Sequence, residues 1–426
     1  MSIASTEESL NGPPRSPRGA NSALFTPLAI ANGGITLKHR VVMAPMTRNR
    51  GVPLRCESTP ENQNRVWVAD ELVAEYYAQR ATEGGLIITE SILPSPESGA
   101  MPGVPGMWLE EHARGWKLVT KAVHSKKGVI YAQLTHHGRA AIPHFAGHAP
   151  VSASMTPWST DEKYPYPPPF TPKGVSYADS LVAYRDHPPV AMAVEHIHRT
   201  VADYVRAACM AMESGFDSVE IHGGNGYLVD QFIQSNVNKR TDEYGGGPEG
   251  RCRFALQLIE EIGREIGEEK VGIRLSPFGV YNDMADADRW ATYTYLLREI
   301  RARFPRISYV HFVEAREDDV AKSQSLRQSW PEGMAFDLSF ARKILGPTPI
   351  LSAGGWNENS CWGVVETGKT VDACVFARWF VSNPDLVERL RQGRELAMYD
   401  RGRFYGPTSK REVGYTDYKT RKEEQE

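Results

Sequence analysis

Eight short runs rich in β-branched or apolar residues, at 40–46, 85–89, 129–134, 218–221, 271–275, 309–313, 349–352 and 373–376, alternate along the chain with helical patterns. The helical stretches fall at 72–82, 111–124, 197–214, 251–267, 291–303 and 384–392, each bounded by Gly, Pro or Asn. Such alternation calls for parallel strands joined by crossover helices, and eight strands suffice to close on themselves. The expected fold is therefore α/β, a (β/α)8 barrel of the TIM type. A doubly wound open sheet is the alternative, but no early G-x-G-x-x-G separates a first strand from its helix. With 426 residues, 41% of them hydrophobic, the chain can bury a core large enough for a barrel of this kind.

Segments outside the alternation fill in the plan. Residues 1–22 are rich in Ser, Pro, Gly and Glu, have no apolar stretch that would suit a secretory signal, and read as a disordered extension. Residues 23–418 are expected to form one barrel domain, and 419–426 a charged tail. Two apolar runs around Asn32-Gly33-Gly34 read as an N-terminal β-hairpin that closes the barrel floor. The longest irregular stretch, 143–190, follows the third strand and contains Tyr164-Pro165-Tyr166-Pro167-Pro168-Pro169-Phe170. Consecutive prolines remove backbone donors, so this proline-rich segment is no barrel element. It reads as a lid or binding loop at the active end, with a passive or partner-docking excursion as the other reading.

Charge and cysteine usage narrow the function. A net charge of −3 with scattered basic residues argues against nucleic acid, and no apolar run approaches the ~20 residues of a membrane span. Cys56, Cys209, Cys252, Cys361 and Cys374 are widely spaced with no CxxC pair, so they read as reduced thiols rather than a disulfide frame or a metal site. A cytoplasmic location is the default for such a chain.

In a barrel the chemistry sits at the C-terminal strand ends. The fourth strand ends in His222, and Gly223-Gly224-Asn225-Gly226-Tyr227 follows. His and Asn donate hydrogen bonds to a carbonyl oxygen, and a tyrosine of ordinary pKa stays protonated at neutral pH, so the trio suits carbonyl polarisation followed by protonation. Gln133 ends the third strand and Arg274 lies within the fifth, where a buried charge requires an anion or a carboxylate. Gly354 and Gly355 follow the seventh strand, and Ala377 and Arg378 the eighth, a pattern suited to a phosphate.

Several longer motifs, in order, resemble one family. Met43-Ala44-Pro45-Met46-Thr47-Arg48, Ala74-Glu75-Tyr76-Tyr77-Ala78-Gln79-Arg80, His222 through Phe232, Asn236-Val237-Asn238-Lys239-Arg240-Thr241-Asp242-Glu243-Tyr244-Gly245-Gly246 and Ser382-Asn383-Pro384-Asp385-Leu386 are similar to those of the Old Yellow Enzyme family, in its fungal form. The resemblance implies noncovalent FMN and an NADPH or NADH reductant. It implies that Thr47, Gln133 and Arg274 contact the flavin ring, that Ala44, Pro45 and Met46 give it backbone contacts, and that Gly354, Gly355 and Arg378, preceded by Ala377, hold its phosphate. His222 and Asn225 would grip a substrate carbonyl, Tyr227 would donate a proton, and Thr135 and Tyr405 would line the substrate pocket. The implied reaction is ene reduction of a small α,β-unsaturated carbonyl compound by a monomer or homodimer. Two other readings stand beside it: a redox-neutral isomerase or cyclase on the same FMN barrel, and a flavin- or partner-binding protein without activity. Thr135 stands where many fungal relatives carry Trp, which predicts a wider and more polar wall there. Ala377 stands in place of Gly before the phosphate arginine.

Overall fold

The structure, a computed structural model, describes residues 18–423 except 56, 57, 60, 61, 100, 316–325, 327, 369, 407–409 and 422. Eight parallel strands close a barrel in the order β4-β5-β6-β7-β8-β1-β2-β3. They are β1 Val41–Met43, β2 Leu86–Ile92, β3 Val129–Leu134, β4 Ser218–Gly223, β5 Val271–Leu275, β6 Tyr309–Val313, β7 Ile350–Ala353 and β8 Ala373–Phe376. Each is buried on both faces, which is why the sequence shows continuous apolar runs rather than strict alternation. Alternate residues nevertheless divide cleanly. Val41, Ile87, Ile130, Val219, Ile273 and Val310 join the outer core, whereas Val42, Leu86, Ile88, Tyr131, Tyr309, Leu351, Ala373 and Val375 fill the barrel interior.

Helices α1 Glu71–Arg80, α2 Glu110–Ser125, α3 Val194–Glu213, α4 Pro248–Ile266, α5 Arg289–Arg303, α6 Ser339–Leu345 and α7 Leu386–Arg391 surround the strands. Local chemistry sets their ends. Asp70 caps α1 by accepting from the Val73 N–H, and Pro248 opens α4, where its missing donor costs nothing. Along α3, Ile197, Val201, Tyr204, Ala208 and Ala211 recur at helical spacing and form its buried stripe. Among the described residues no helix is long and apolar enough to cross a membrane.

Ahead of the barrel, Leu28–Ile30 pairs antiparallel with Ile35–Leu37, and Leu28, Ile30 and Leu37 pack into the interior cluster. Residues 1–17 of the expected disordered extension lie outside the described residues, but its end does not match the expectation. Gly19 and Ser22 are buried, and Ser22 Oγ donates to Glu366 Oε1 at 2.7 Å, so residues 18–22 are docked by a hydrogen bond that composition does not announce. The expected tail likewise has an attachment, because the Arg421 N–H donates to Asp385 Oδ2 at 2.8 Å.

The excursion after β3 builds a core of its own. Phe145, Trp158, Tyr164 and Tyr184 cluster there, with Trp158 stacked on Tyr184 at 4.2 Å, and Tyr227 packs against them. Val151–Ser152 pairs with Val190–Ala191 where the excursion leaves and rejoins the barrel. Tyr166 Oη donates to Asn49 Oδ1 at 2.9 Å, which pins the proline-rich stretch to the loop after β1.

Candidate active site

Register gathers the polar side chains. His222 on β4 stands opposite Arg274 on β5, which stands opposite His311 on β6. Two residues deeper on β4, Glu220 stands opposite Gln133 of β3. Gln133 Nε2 donates to Glu220 Oε1 at 2.7 Å, and His311 Nδ1 meets Glu220 Oε2 at 2.9 Å. Both carboxylate oxygens are therefore engaged in the middle of the barrel. Arg274 is 9% exposed and its Nε has no hydrogen-bond partner. Burial pulls its pKa below the ordinary value, with the Glu220 charge opposing. A buried guanidinium whose nearest carboxylate is already occupied is poised for a further electron-rich group.

His222 lies just above. It is buried, and its Nδ1 has no partner. Burial first, then the Arg274 charge, holds its pKa well below the ordinary value, so the ring is neutral at pH 7 and carries one N–H.

The turn after β4 depends on two glycines. A Cβ on Gly224 would lie 2.3 Å from Ser276 Oγ, and one on Gly226, whose φ is +72°, would lie 2.5 Å from Asn282 Cβ. This close approach brings the β4 and β5 loops together. Asn225 adopts φ 56°, its backbone carbonyl accepts from Asn282 Nδ2 at 2.8 Å, and its Oδ1 accepts from Ser276 Oγ at 3.1 Å. With the oxygen anchored, the amide NH2 faces away from Ser276 as a donor. Tyr227 comes next, its ring 5.2 Å from His222 and 5.4 Å from His137. Burial chiefly raises its hydroxyl above the usual tyrosine value, so it is a protonated donor at neutral pH.

The remaining expected residues fall around this trio. The Ala44 N–H donates to Phe376 O at 2.9 Å, after which Pro45, Met46 and Thr47 leave the sheet half-buried. Arg48 follows and binds Phe404 O at 2.8 Å and Gly414 O at 2.5 Å, while the Gly406 N–H returns to Arg48 O. This clamp docks the segment bearing Tyr405, which is 59% exposed, onto the loop bearing Thr47. Gly355 adopts φ +81°, and a Cβ there would lie 3.9 Å from an Arg378 terminal nitrogen, so the ends of β7 and β8 bring these two together. Arg378 Nη1 also donates to Tyr399 Oη at 2.9 Å. Gly354 adjoins Glu314, whose carboxylate accepts from Ser352 Oγ. Ala377 has φ −103°, outside the left-handed region that favours glycine, so alanine sits there without that strain.

Thr135 has no accessible surface, and its Oγ1 is buried without a hydrogen-bond partner. Its N–H is held by Ile92 O at 2.9 Å, which keeps the backbone against β2. Glu220, His311, Ser276 and Asn282 bond to one another or to the expected residues, and the sequence alone singles out none of them as site residues. Glu220 alone had a signal, lying two residues before His222 and hence on the same face of β4.

Comparison with known proteins shows the family of the chain. The family model described as NADH:flavin oxidoreductase / NADH oxidase family matches residues 23–397. Flavin oxidoreductase hxnT of Emericella nidulans is 42% identical, covering 93% of this chain and 97% of the relative. 12-oxophytodienoate reductase 2 of Arabidopsis thaliana is 36% identical, covering 93% and 95%. A solved morphinone reductase variant in complex with tetrahydroNAD superposes with a TM-score of 0.77 at 34% identity, covering 94% of this chain and 98% of that one. The chain belongs to the NADH:flavin oxidoreductase / NADH oxidase family, that of Old Yellow Enzyme.

Proposed function

We propose that the protein is an FMN-dependent ene-reductase that uses NADPH or NADH to reduce the C=C bond of an α,β-unsaturated carbonyl compound. The observation that carries this reading is the convergence of three donors, neutral His222, the anchored Asn225 amide and protonated Tyr227, beside a buried Arg274 whose Nε is unpartnered. The residues fit FMN. Arg274 offers a cation to the electron-rich edge of the ring, Gln133 and Thr47 offer hydrogen-bonding groups, and Ala44, Pro45 and Met46 offer backbone. Gly355 beside Arg378 leaves room for a phosphate next to a guanidinium, with Gly354 and Ala377 flanking it.

When bound, FMN supplies hydride acceptance from a reduced nicotinamide and hydride delivery to the β-carbon of the substrate. As negative charge grows on the substrate carbonyl oxygen, His222 and Asn225 stabilise it with donors already in place. Tyr227 gives its hydroxyl proton to the α-carbon, and its raised pKa keeps that proton available throughout the neutral range. The aromatic cluster of the excursion packs against Tyr227 and holds its ring in place. An anaerobic titration tests the reading. NADPH should bleach the visible flavin absorption of the purified protein, and cyclohexenone should restore it; protein without flavin, or flavin that neither reagent changes, refutes the proposal.

A further inference from the structure

Glu220 has no accessible surface, lies at the centre of the barrel, and belongs to none of the groups that face the substrate. Its two oxygens are bound from opposite sides, by Gln133 Nε2 at 2.7 Å and by His311 Nδ1 at 2.9 Å. The second contact spans two strands, since β5 lies between β4 and β6. It is possible because β5 carries Gly272 opposite Glu220, where a Cβ would lie 2.7 Å from the Tyr309 ring. The missing side chain opens the interior so that groups of β6 reach across β5. Burial holds His311 below its ordinary pKa, so a neutral ring donates from Nδ1 and leaves Nε2 without a partner.

We propose that Glu220 is a positioning residue for the flavin site, acting through Gln133; the inference rests on the FMN reading above. A carboxylate only accepts hydrogen bonds, so it fixes the Gln133 amide with its nitrogen inward and its oxygen outward. The site thus presents an acceptor to an N–H on the pyrimidine edge of the ring, in one orientation instead of two. The same carboxylate places a negative charge beside Arg274 and offsets part of the stabilisation that the guanidinium would give to a reduced, anionic ring.

The test is a double-mutant cycle of Glu220→Gln and Gln133→Met in the full-length protein. FMN dissociation is read from recovery of flavin fluorescence, and the midpoint potential from dye equilibration. Gln133→Met is expected to weaken FMN binding about tenfold, the worth of a hydrogen bond. Glu220→Gln should weaken it by about three- to tenfold, because the amide is free to turn, and the double variant should bind no more weakly than Gln133→Met alone. Glu220→Gln should also favour reduced over oxidised FMN about tenfold, which is about +30 mV for a two-electron couple. Multiplying losses in the cycle, or unchanged affinity and potential in Glu220→Gln, would overturn the proposal. Should that variant prove insoluble, Glu220→Asp keeps the charge and shortens the reach. It should then lose affinity without the potential shift, and wild-type affinity would overturn the proposal. Wild-type protein that binds no FMN would instead overturn the parent reading, and this inference with it.

Discussion

Replacing Tyr227 by Phe removes one oxygen from the site and little else. The ring packs against Phe145, Trp158, Tyr164 and Tyr184, and a phenylalanine ring preserves those contacts. What is lost from the fold is the hydroxyl's bond to Asn282, about 0.5–1.5 kcal/mol. The variant should therefore fold, bind FMN and be reduced by NADPH at a rate within about twofold of wild type. Loss of a positioned general acid costs roughly 10²–10⁴ in rate, or about 2.7–5.5 kcal/mol of barrier. Stopped-flow spectroscopy separates the two half-reactions, and only flavin reoxidation by the enone should slow by that factor. The pH profile adds an independent reading. An acid works while it is protonated, so a phenol raised above the ordinary ~10 keeps its proton through the neutral range, and wild-type reoxidation should show no falling limb from Tyr227 below about pH 10. Reoxidation within twofold of wild type in Tyr227→Phe would refute the donor assignment. Slowed flavin reduction would show that the residue serves the nicotinamide step too.

Ser276→Ala releases Asn225 Oδ1 and lets the amide turn its donor out of the site; at the ~0.5–1.5 kcal/mol of one hydrogen bond, enone turnover should fall about two- to tenfold, and steady-state kinetics showing no change would dismiss the anchor. Arg378→Met removes a charged donor beside Gly355, and at ~1.5–3 kcal/mol for such a bond FMN should dissociate about 10- to 150-fold more readily, measured by fluorescence of released flavin; retention at wild-type affinity would move the phosphate elsewhere. Burial raises Glu90 to about 7 and Asp230 to about 6, against Arg48 and the other donors that lower them. Between their ordinary values and these, the folded state binds more protons than the unfolded one, so stability should fall as pH rises from about 4 to 7. Thermal unfolding should show that slope, and Glu90→Gln should flatten it above pH 6; a slope unchanged in Glu90→Gln would assign it to other groups.

How much of this the sequence disclosed depends on the range of each interaction. All eight barrel strands were legible, since a strand buried on both faces must be a continuous apolar run. Two short helices were not: Ser339–Leu345 and Leu228–Ile233 have seven and six residues, too few for a helical period to stand out, whereas Leu386–Arg391, as short, is marked by the Asn383-Pro384 start signal. The apolar pattern makes β1 longer than Val41–Met43 because Ala44 is still buried, and still bonded to Phe376 O, where the strand ends. Composition places Ser22 in an unstructured extension because its attachment, Glu366, lies 344 residues away.

The site divides along the same line. His222, Asn225 and Tyr227 sit within one turn, so their chemistry could be read together. Ser276 and Asn282 orient that turn from another loop, and nothing in either segment alone announces the pairing. Strand parity supplies a partial remedy. Once His222 is known to face the barrel interior, Glu220 must face it as well; once Arg274 does, so does Gly272, and a glycine at an interior position marks a place where a neighbouring strand's side chain crosses. Parity also sends Thr135 toward the same face as Gln133, where it has no accessible surface. Residue 135 follows the last residue of β3, so its inward direction no longer leads into a space enclosed by eight strands but into whatever the long excursion packs above it. Parity therefore identifies interior side chains within the sheet, and one residue beyond it the loops decide: Ser276, next after β5, shares the parity of Arg274 and bonds Asn225, whereas Thr135, next after β3, is covered.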